Sequence, residues 1–234
     1  MKKYKRLSVI MPVYNEAGTI EKAIKEIEKE KIKSIKIQII VVDDGSNDGT
    51  SDILKKIQKK NKKIKVIFKD KNQGKGSAIR DGLKYADGDY VIFQDADLEY
   101  SPEDYNIMLM PILKGYADVV YGSRFLGPHR SFLFWNFVAN KFLNFLTNLL
   151  YNTTLTDMET CFKLFKSDII KNIKLRSNSF TIEPEITSKV LKKKVRIYEV
   201  PIQYYGRGYE EGKKIKAIDG IKAFFTLLWY RFFD

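Results

Sequence analysis

Two short apolar runs in this chain end abruptly in paired acids: IIVVDDGSNDGT at 39–50 and YVIFQDADLE at 90–99. Residues 37–42 and 90–94 are apolar, rich in β-branched or aromatic side chains and bounded by turn signals, the pattern of strands buried in a parallel sheet. In an open α/β sheet, ligands bind beyond the carboxyl ends of the strands. The sequence therefore predicts that Asp43, Asp44, Asp95 and Asp97 gather at one edge of a sheet. Four carboxylates there repel one another unless something positive joins them. A divalent cation carrying an anionic nucleotide answers that need. A polar turn with helix caps is the competing reading of one such run, and recurrence at two successive strand ends weighs against it.

The remaining chain alternates. Strand 7–11 leads through Pro-Val-Tyr-Asn-Glu into a helix near 17–30, with Glu16, Thr19 and Glu21 suited to its first turn. Strand 37–42 precedes a helix at 49–60, strand 64–68 precedes a helix at 75–86, and strand 90–94 precedes a helix at 102–114. Ser101-Pro102 supplies an N-cap followed by proline at the first helical position. Strand 117–121 ends in Gly-Ser-Arg. Such βα units with short links predict a doubly wound, mainly parallel sheet with flanking helices. No internal repeat or long linker divides the 234 residues.

The ordered motifs resemble the family 2 glycosyltransferases with the GT-A fold. VIMPVYNE at 9–16, VVDDGSNDGT at 41–50, NQGKGSAIRDGL at 72–83 and GDYVIFQDADLE at 88–99 carry the likeness. YGSRF at 121–125, TDMETCFKLF at 156–165, EPEIT at 183–187 and VPIQYYGRGYEEGKK at 200–214 extend it over nearly the whole chain. It is nearer to the branch containing dolichol-phosphate mannose synthase and bacterial polyprenyl-phosphate relatives. The resemblance implies one glycosyltransferase domain over 1–234, with a nucleotide-sugar and metal half at 1–125 and an acceptor half at 126–234.

By the same resemblance, Pro12, Tyr14 and Glu16 contact the nucleoside, and Val42 and Asp44 hold base and ribose. Gly74 and Gly76 allow close backbone approach around the charge of Lys75, although a Gly-Lys-Gly loop alone is a weak signal. Asp95, Ala96 and Asp97 form the family's DxD motif, with Glu99 following. Asp95, Asp97 and Glu99 share one face if the strand continues, and their oxygens suit Mg2+ or Mn2+. The metal would bridge the donor diphosphate as Lewis acid and template. Arg124, Arg207 and Lys213 match positions that close over the donor diphosphate or acceptor phosphate, with Lys214 hard to distinguish from Lys213. The glycine-rich 204–214 segment reads as a lid ordered by substrate. Asp157 stands where relatives carry an acid facing the acceptor, and Glu159 and Glu183 rival it. A phosphate acceptor is already largely anionic at pH 7, so such an acid would orient groups and place charge.

FLFWNFVANKFLNFLTNLLY at 132–151 breaks the alternation. It is nearly long enough to cross a bilayer, which takes about 20 residues. Yet Asn136, Asn140, Asn144 and Asn148 recur every fourth residue, with Lys141 and Thr147 beside them. One polar stripe on an otherwise Phe, Leu and Trp circumference predicts an amphipathic helix in the membrane interface. A helix packed on the core with its stripe toward solvent is the alternative. AFFTLLWYRFF at 223–233 is a second interfacial candidate, too short to span.

With 42 basic against 29 acidic residues, the net charge of +13 favours an anionic partner. No nucleic-acid motif accompanies it, and much of the lysine lies in helical stretches as a solvated face. The one cysteine, Cys161, precludes a disulfide framework and fits a reducing compartment. The start MKKYKRLSVIMPV reads directly into a strand, not as a secretory signal. The resemblance implies an inverting, metal-dependent hexosyltransferase using a GDP-mannose or UDP-glucose type of donor. Its acceptor would be polyprenyl or dolichyl phosphate, and its place peripheral on the cytoplasmic face of the membrane. The alternatives are a glycan or other lipid acceptor, or a nucleotide- or membrane-binding module without turnover.

Overall fold

Apolar runs at period-2 and period-3.6 spacing assemble into alternating strands and helices in the computed structural model, which describes residues 5–208, 210, 214 and 217–234. The strands are β1 (Lys5–Val13), β2 (Ile35–Asp43), β3 (Lys65–Phe68), β4 (Tyr90–Phe93), β5 (Val119–Ser123), β6 (Lys163–Lys166) and β7 (Ile197–Pro201). They form one sheet in the order β3-β2-β1-β4-β6-β5-β7. β1 lies parallel between β2 and β4, with Val9 opposite Ile39 and Ile92.

The first helices, α1 (Ile20–Lys29) and α2 (Thr50–Lys60), contact one another. Ile20, Ala23, Ile24 and Ile27 form the buried stripe of α1, at helical spacing. α3 (Lys75–Leu83) packs on β1 and β2 as the chain crosses back from β3 to β4. Right-handed crossovers running in opposite directions place α3 on the face opposite α1 and α2. The sheet is doubly wound, and its switch point lies between β1 and β4. Ligands bind at that crevice in open α/β sheets. Ser101 caps the turn at Pro102–Asp104 by accepting from Glu103 N–H, and α4 (Tyr105–Leu113) continues from it.

β6 departs from the parallel expectation, running antiparallel between β4 and β5. The reason lies in α5 (Phe134–Tyr151). The excursion leaves the end of β5 and returns to it, because Ser123 Oγ lies 2.7 Å from Thr156 Oγ1. A chain that re-enters from the carboxyl edge can only run back down. α6 (Ser167–Lys171), α7 (Ile182–Lys192) and β7, parallel to β5, follow, then α8 (Ala217–Phe232). One apolar cluster runs from Leu7 to Tyr204, and a smaller one of Leu143, Met158, Ala223 and Leu227 joins α5 to α8.

The asparagine stripe of α5 faces the protein, not solvent. Asn144 is buried, donating to Thr156 O at 2.6 Å and accepting from Met158 N–H at 2.7 Å. Asn148 donates to Leu155 O, and Thr147 is fully buried. The apolar face is left outside, with Phe134 at 67%, Trp135 at 75% and Leu149 at 69% exposure. Phe225, Trp229 and Phe232 of α8 are exposed as well, and Phe142 stacks on Phe224 across the two helices at 6.1 Å. Among the described residues, no helix is long and apolar enough to cross a membrane.

Candidate active site

The carboxyl ends of β1 and β4 bring Glu16, Asp95, Asp97 and Glu99 to the switch point, and two cations from distant segments enter among them. Lys75, the first residue of α3, places Nζ 3.0 Å from each oxygen of Asp95. Arg207 places Nη2 3.1 Å from Asp97 and 3.4 Å from Glu16. Burial works against both cations, yet their acidic neighbours hold each above its ordinary pKa. At Asp97 the balance is reversed: burial, then the charges of Asp95 and Glu99, push its carboxyl up to about 7.

β4 ends at Phe93, and residues 96–98 turn, with Leu98 at φ 64°. Extension therefore does not continue, and Glu99 does not share a face with Asp95 and Asp97. Its Oε2 accepts from the Tyr204 hydroxyl at 2.9 Å, and its Oε1 accepts from Arg207 N–H at 2.7 Å. Glu99 anchors the 204–208 segment to the end of β4. Among the described residues no three acidic, histidine or cysteine side chains are grouped to hold a metal ion. Asp95 and Asp97 nonetheless offer hard oxygen donors, and their mutual repulsion is what a divalent cation relieves. On donor chemistry the pair fits Mg2+ or Mn2+.

The acids after β2 are differently employed. Asp44, expected at base and ribose, is 2% exposed and accepts from Gln73 N–H, from Gly74 N–H at 2.7 Å and from Lys69 at 2.7 Å. Asp43 accepts from Ser46 N–H and the Ser51 hydroxyl. Both acids are spent on their own loops. The four carboxylates thus do not form one cluster. Gly74 and Gly76 do allow a close approach, but to protein. A Cβ at either would come within 2.3 Å of the carbonyl oxygens of Asn178 and Ser177. Pro12 and Val42 face one another across β1 and β2, with Val42 fully buried, and Tyr14 lies half-buried beyond β1. Ala96 is buried between its two acids.

Lys213 lies outside the described residues. Lys214 is described, and it reaches Glu16 at 2.7 Å and the Tyr14 carbonyl oxygen. Arg124 and Asp157, expected as separate site residues, form a buried pair. Arg124 Nε and Nη2 each donate to Asp157 at 2.7 Å, and its backbone N–H adds a third bond at 2.9 Å. Asp157 is 0% exposed, so it positions Arg124 beside Tyr204, whose ring lies 5.3 Å from the guanidinium. Burial, with Glu183 and Asp157 adding to it, pushes the Glu159 carboxyl up to about 7 against Lys163 and Arg124. Its Oε1 has no hydrogen-bond partner.

One site residue escaped sequence reasoning. Lys163, 0% exposed, pairs with Glu183 and with the Thr160 carbonyl oxygen. A charge inside the otherwise apolar run CFKLF was the available signal, since buried lysines are rare unless paired.

The model of Glycosyl transferase family 2 matches residues 8–174. An uncharacterized protein of Methanocaldococcus jannaschii is 30% identical over 89% of this chain and 94% of its own length. The UDP-N-acetylglucosamine–dolichyl-phosphate N-acetylglucosaminyltransferase of Methanococcus voltae is 28% identical, covering 96% of this chain and 95% of the relative. Among solved structures, glucosyl-3-phosphoglycerate synthase from Mycobacterium tuberculosis, in complex with Mn2+, UDP and phosphoglyceric acid, superposes with a TM-score of 0.74. It is 18% identical, covering 98% of this chain and 80% of that one. The same enzyme with Mg2+ and UDP gives 0.72 at 20% identity over 97% and 79%. With the fold and the extent of these matches together, the chain belongs to glycosyl transferase family 2: it is a glycosyltransferase of GT-A fold.

Proposed function

We propose that the protein transfers a hexosyl group, with inversion, from a nucleotide sugar to a polyprenyl-type phosphate at a membrane surface. The observation that carries this reading is a pairing of surfaces. A carboxylate pair countered by the side chains of Lys75 and Arg207 lies at the switch point, and α5 beside it buries its polar stripe and exposes its aromatic face. The Methanococcus voltae relative, named for a dolichyl-phosphate acceptor, supports the same acceptor class.

Asp95 and Asp97 would hold a divalent cation, Mg2+ or Mn2+ as in the structural neighbours. When bound, it supplies Lewis-acid stabilisation of the leaving nucleoside diphosphate. Lys75 and Arg207 then face the diphosphate, Arg207 with a planar fork and Lys75 as a point charge. Lys214, which reaches Glu16, adds charge on the same side. Tyr14 offers a face to the nucleoside. An acceptor phosphate oxygen forms the new bond to C1 as the C1–O bond to the diphosphate breaks on the opposite side. That oxygen needs little general-base help near pH 7, which agrees with an Asp157 committed to Arg124.

α5 and α8 support membrane contact. Their exposed aromatic residues are those of an interfacial helix pair, and Lys141, Lys222 and Arg231 lie on the same helices. Each near-surface cation adds roughly 1 kcal/mol toward anionic lipid. On this reading the enzyme sits peripherally on the membrane, at its cytoplasmic face.

A panel of radiolabelled donors (UDP-GlcNAc, UDP-glucose and GDP-mannose) offered with polyprenyl phosphate in vesicles tests the reading. Label should enter the lipid fraction in the presence of Mg2+ or Mn2+ and cease to do so in excess chelator. Transfer to glycan or non-phosphorylated lipid acceptors only, or full activity in chelator, would overturn it.

A further inference from the structure

Lys75 stands between two carboxylates of different kind. Asp95 opens to the cleft, and Lys75 Nζ lies 3.0 Å from each of its oxygens. Glu183, from the first turn of α7, is 3% exposed, and its Oε1 lies 3.3 Å from the same Nζ. That oxygen accepts no hydrogen bond, while Oε2 is held by the fully buried Lys163. Charges thus alternate along one line: Lys163, Glu183, Lys75, Asp95.

We propose that Glu183 is a positioning residue that takes over Lys75 when a divalent cation occupies Asp95, so the donor site forms by exchange of cations. The proposal rests on Asp95 and Asp97 as the metal-holding pair. An ammonium and a dication cannot share both oxygens of one carboxylate without strong repulsion. The lysine stem is flexible, and Glu183 Oε1 is within reach of a small rotation. Lys163 holds the other oxygen, Oε2, and so fixes the orientation of the carboxylate, which is the task of a supporting shell around a working group. After the exchange, Glu183 carries two lysines, and the pair presents net positive charge toward the diphosphate. Without Glu183, Lys75 has Asp95 as its near carboxylate and competes there with the metal.

The test reads metal binding, not turnover. Free Mn2+ is titrated by electron paramagnetic resonance with UDP, and separately with GDP, on the full chain. The double variant K163M/E183Q removes the buried pair together and leaves no lone buried charge. Mn2+ affinity should fall about tenfold in this variant, a coupling ordinary for contacting residues. In the K75M background the same change should cost less than about twofold, because the competitor is gone. An undiminished loss in the K75M background would make Glu183 a mere through-space charge and overturn the exchange. So would unchanged affinity with Lys75 present. Melting curves establish folding. Should K163M/E183Q not fold, Glu183→Asp carries the same cycle, since it keeps a charge for Lys163 and withdraws the oxygen from Lys75. Absence of Mn2+ binding by the unmodified protein with either nucleotide would remove the metal assignment of Asp95 and Asp97, and the exchange with it.

Discussion

Asp43-Asp44 and Asp95-X-Asp97 stand at the carboxyl ends of two apolar strands that flank β1 and look alike in sequence, yet their surroundings differ in kind. Asp44 accepts from two backbone N–H groups and a buried lysine, partners that cannot leave without unfolding a loop. Asp95 and Asp97 are countered by the side chains of Lys75 and Arg207, partners that can move aside. On the proposed function, the first pair builds the site and the second works in it. α5 divides the same way: its asparagines are satisfied inside the molecule, and its aromatic side chains face outward. A functional group is marked here by an exchangeable partner, more than by its residue type.

Asp97→Ala presses hardest on this division. Loss of metal-assisted charge stabilisation should lower turnover by about 10³-fold, measured by lipid-linked product formation, with little change in melting temperature. A collapse of the fold would show that this pair is structural too. Asp44→Ala should do the reverse, costing about 3 kcal/mol for two backbone N–H groups left without their acceptor and a buried lysine left with only the more distant Asp81, read from denaturant midpoints. If it instead leaves stability intact and abolishes donor binding, the comparison fails. Arg207→Ala should lower transfer by about 10- to 50-fold, the loss of one charge-assisted contact to the diphosphate, without shifting the melting temperature. The smallest effect belongs to the helix face. Replacing Phe134, Trp135 and Phe142 together by Ser should weaken vesicle pelleting about fivefold to tenfold and spare nucleotide-sugar binding. Loss of both would assign these side chains to the protein's interior packing.

The first five strands and four helices were legible because each is a local pattern bounded by turns. β6 was not, for its four residues acquire direction only from the course of α5. The spacing of Asn136, Asn140, Asn144 and Asn148 defined a stripe, but periodicity does not say which side of a helix faces inward. Acceptors on 155–158 decide it. Glu99 misled the metal reading because the turn at Leu98 ends strand geometry. Arg124 and Asp157 were each singled out, but their mutual pairing was not legible, since nothing local joins residues from two segments. The specific donor and acceptor lie beyond such patterns altogether.

The position of β6 bears on how the molecule comes to be made. β4 and β5 are neighbours in sequence, but each pairs with β6, which arrives only after α5. Until then the β4 edge of the sheet formed by β1 to β4 is open, and β5 has no strand on its β4-facing side. Long-range pairings of this sort are slow and leave edges exposed to misassembly. β6 also carries Lys163, whose carboxylate partner comes from α7, later still. Closing the sheet buries that lysine, so closure and its neutralisation by Glu183 are expected together, late in folding. Pulsed hydrogen exchange during refolding should show β1–β3 amides protected before those of β5–β7; simultaneous protection would contradict this order.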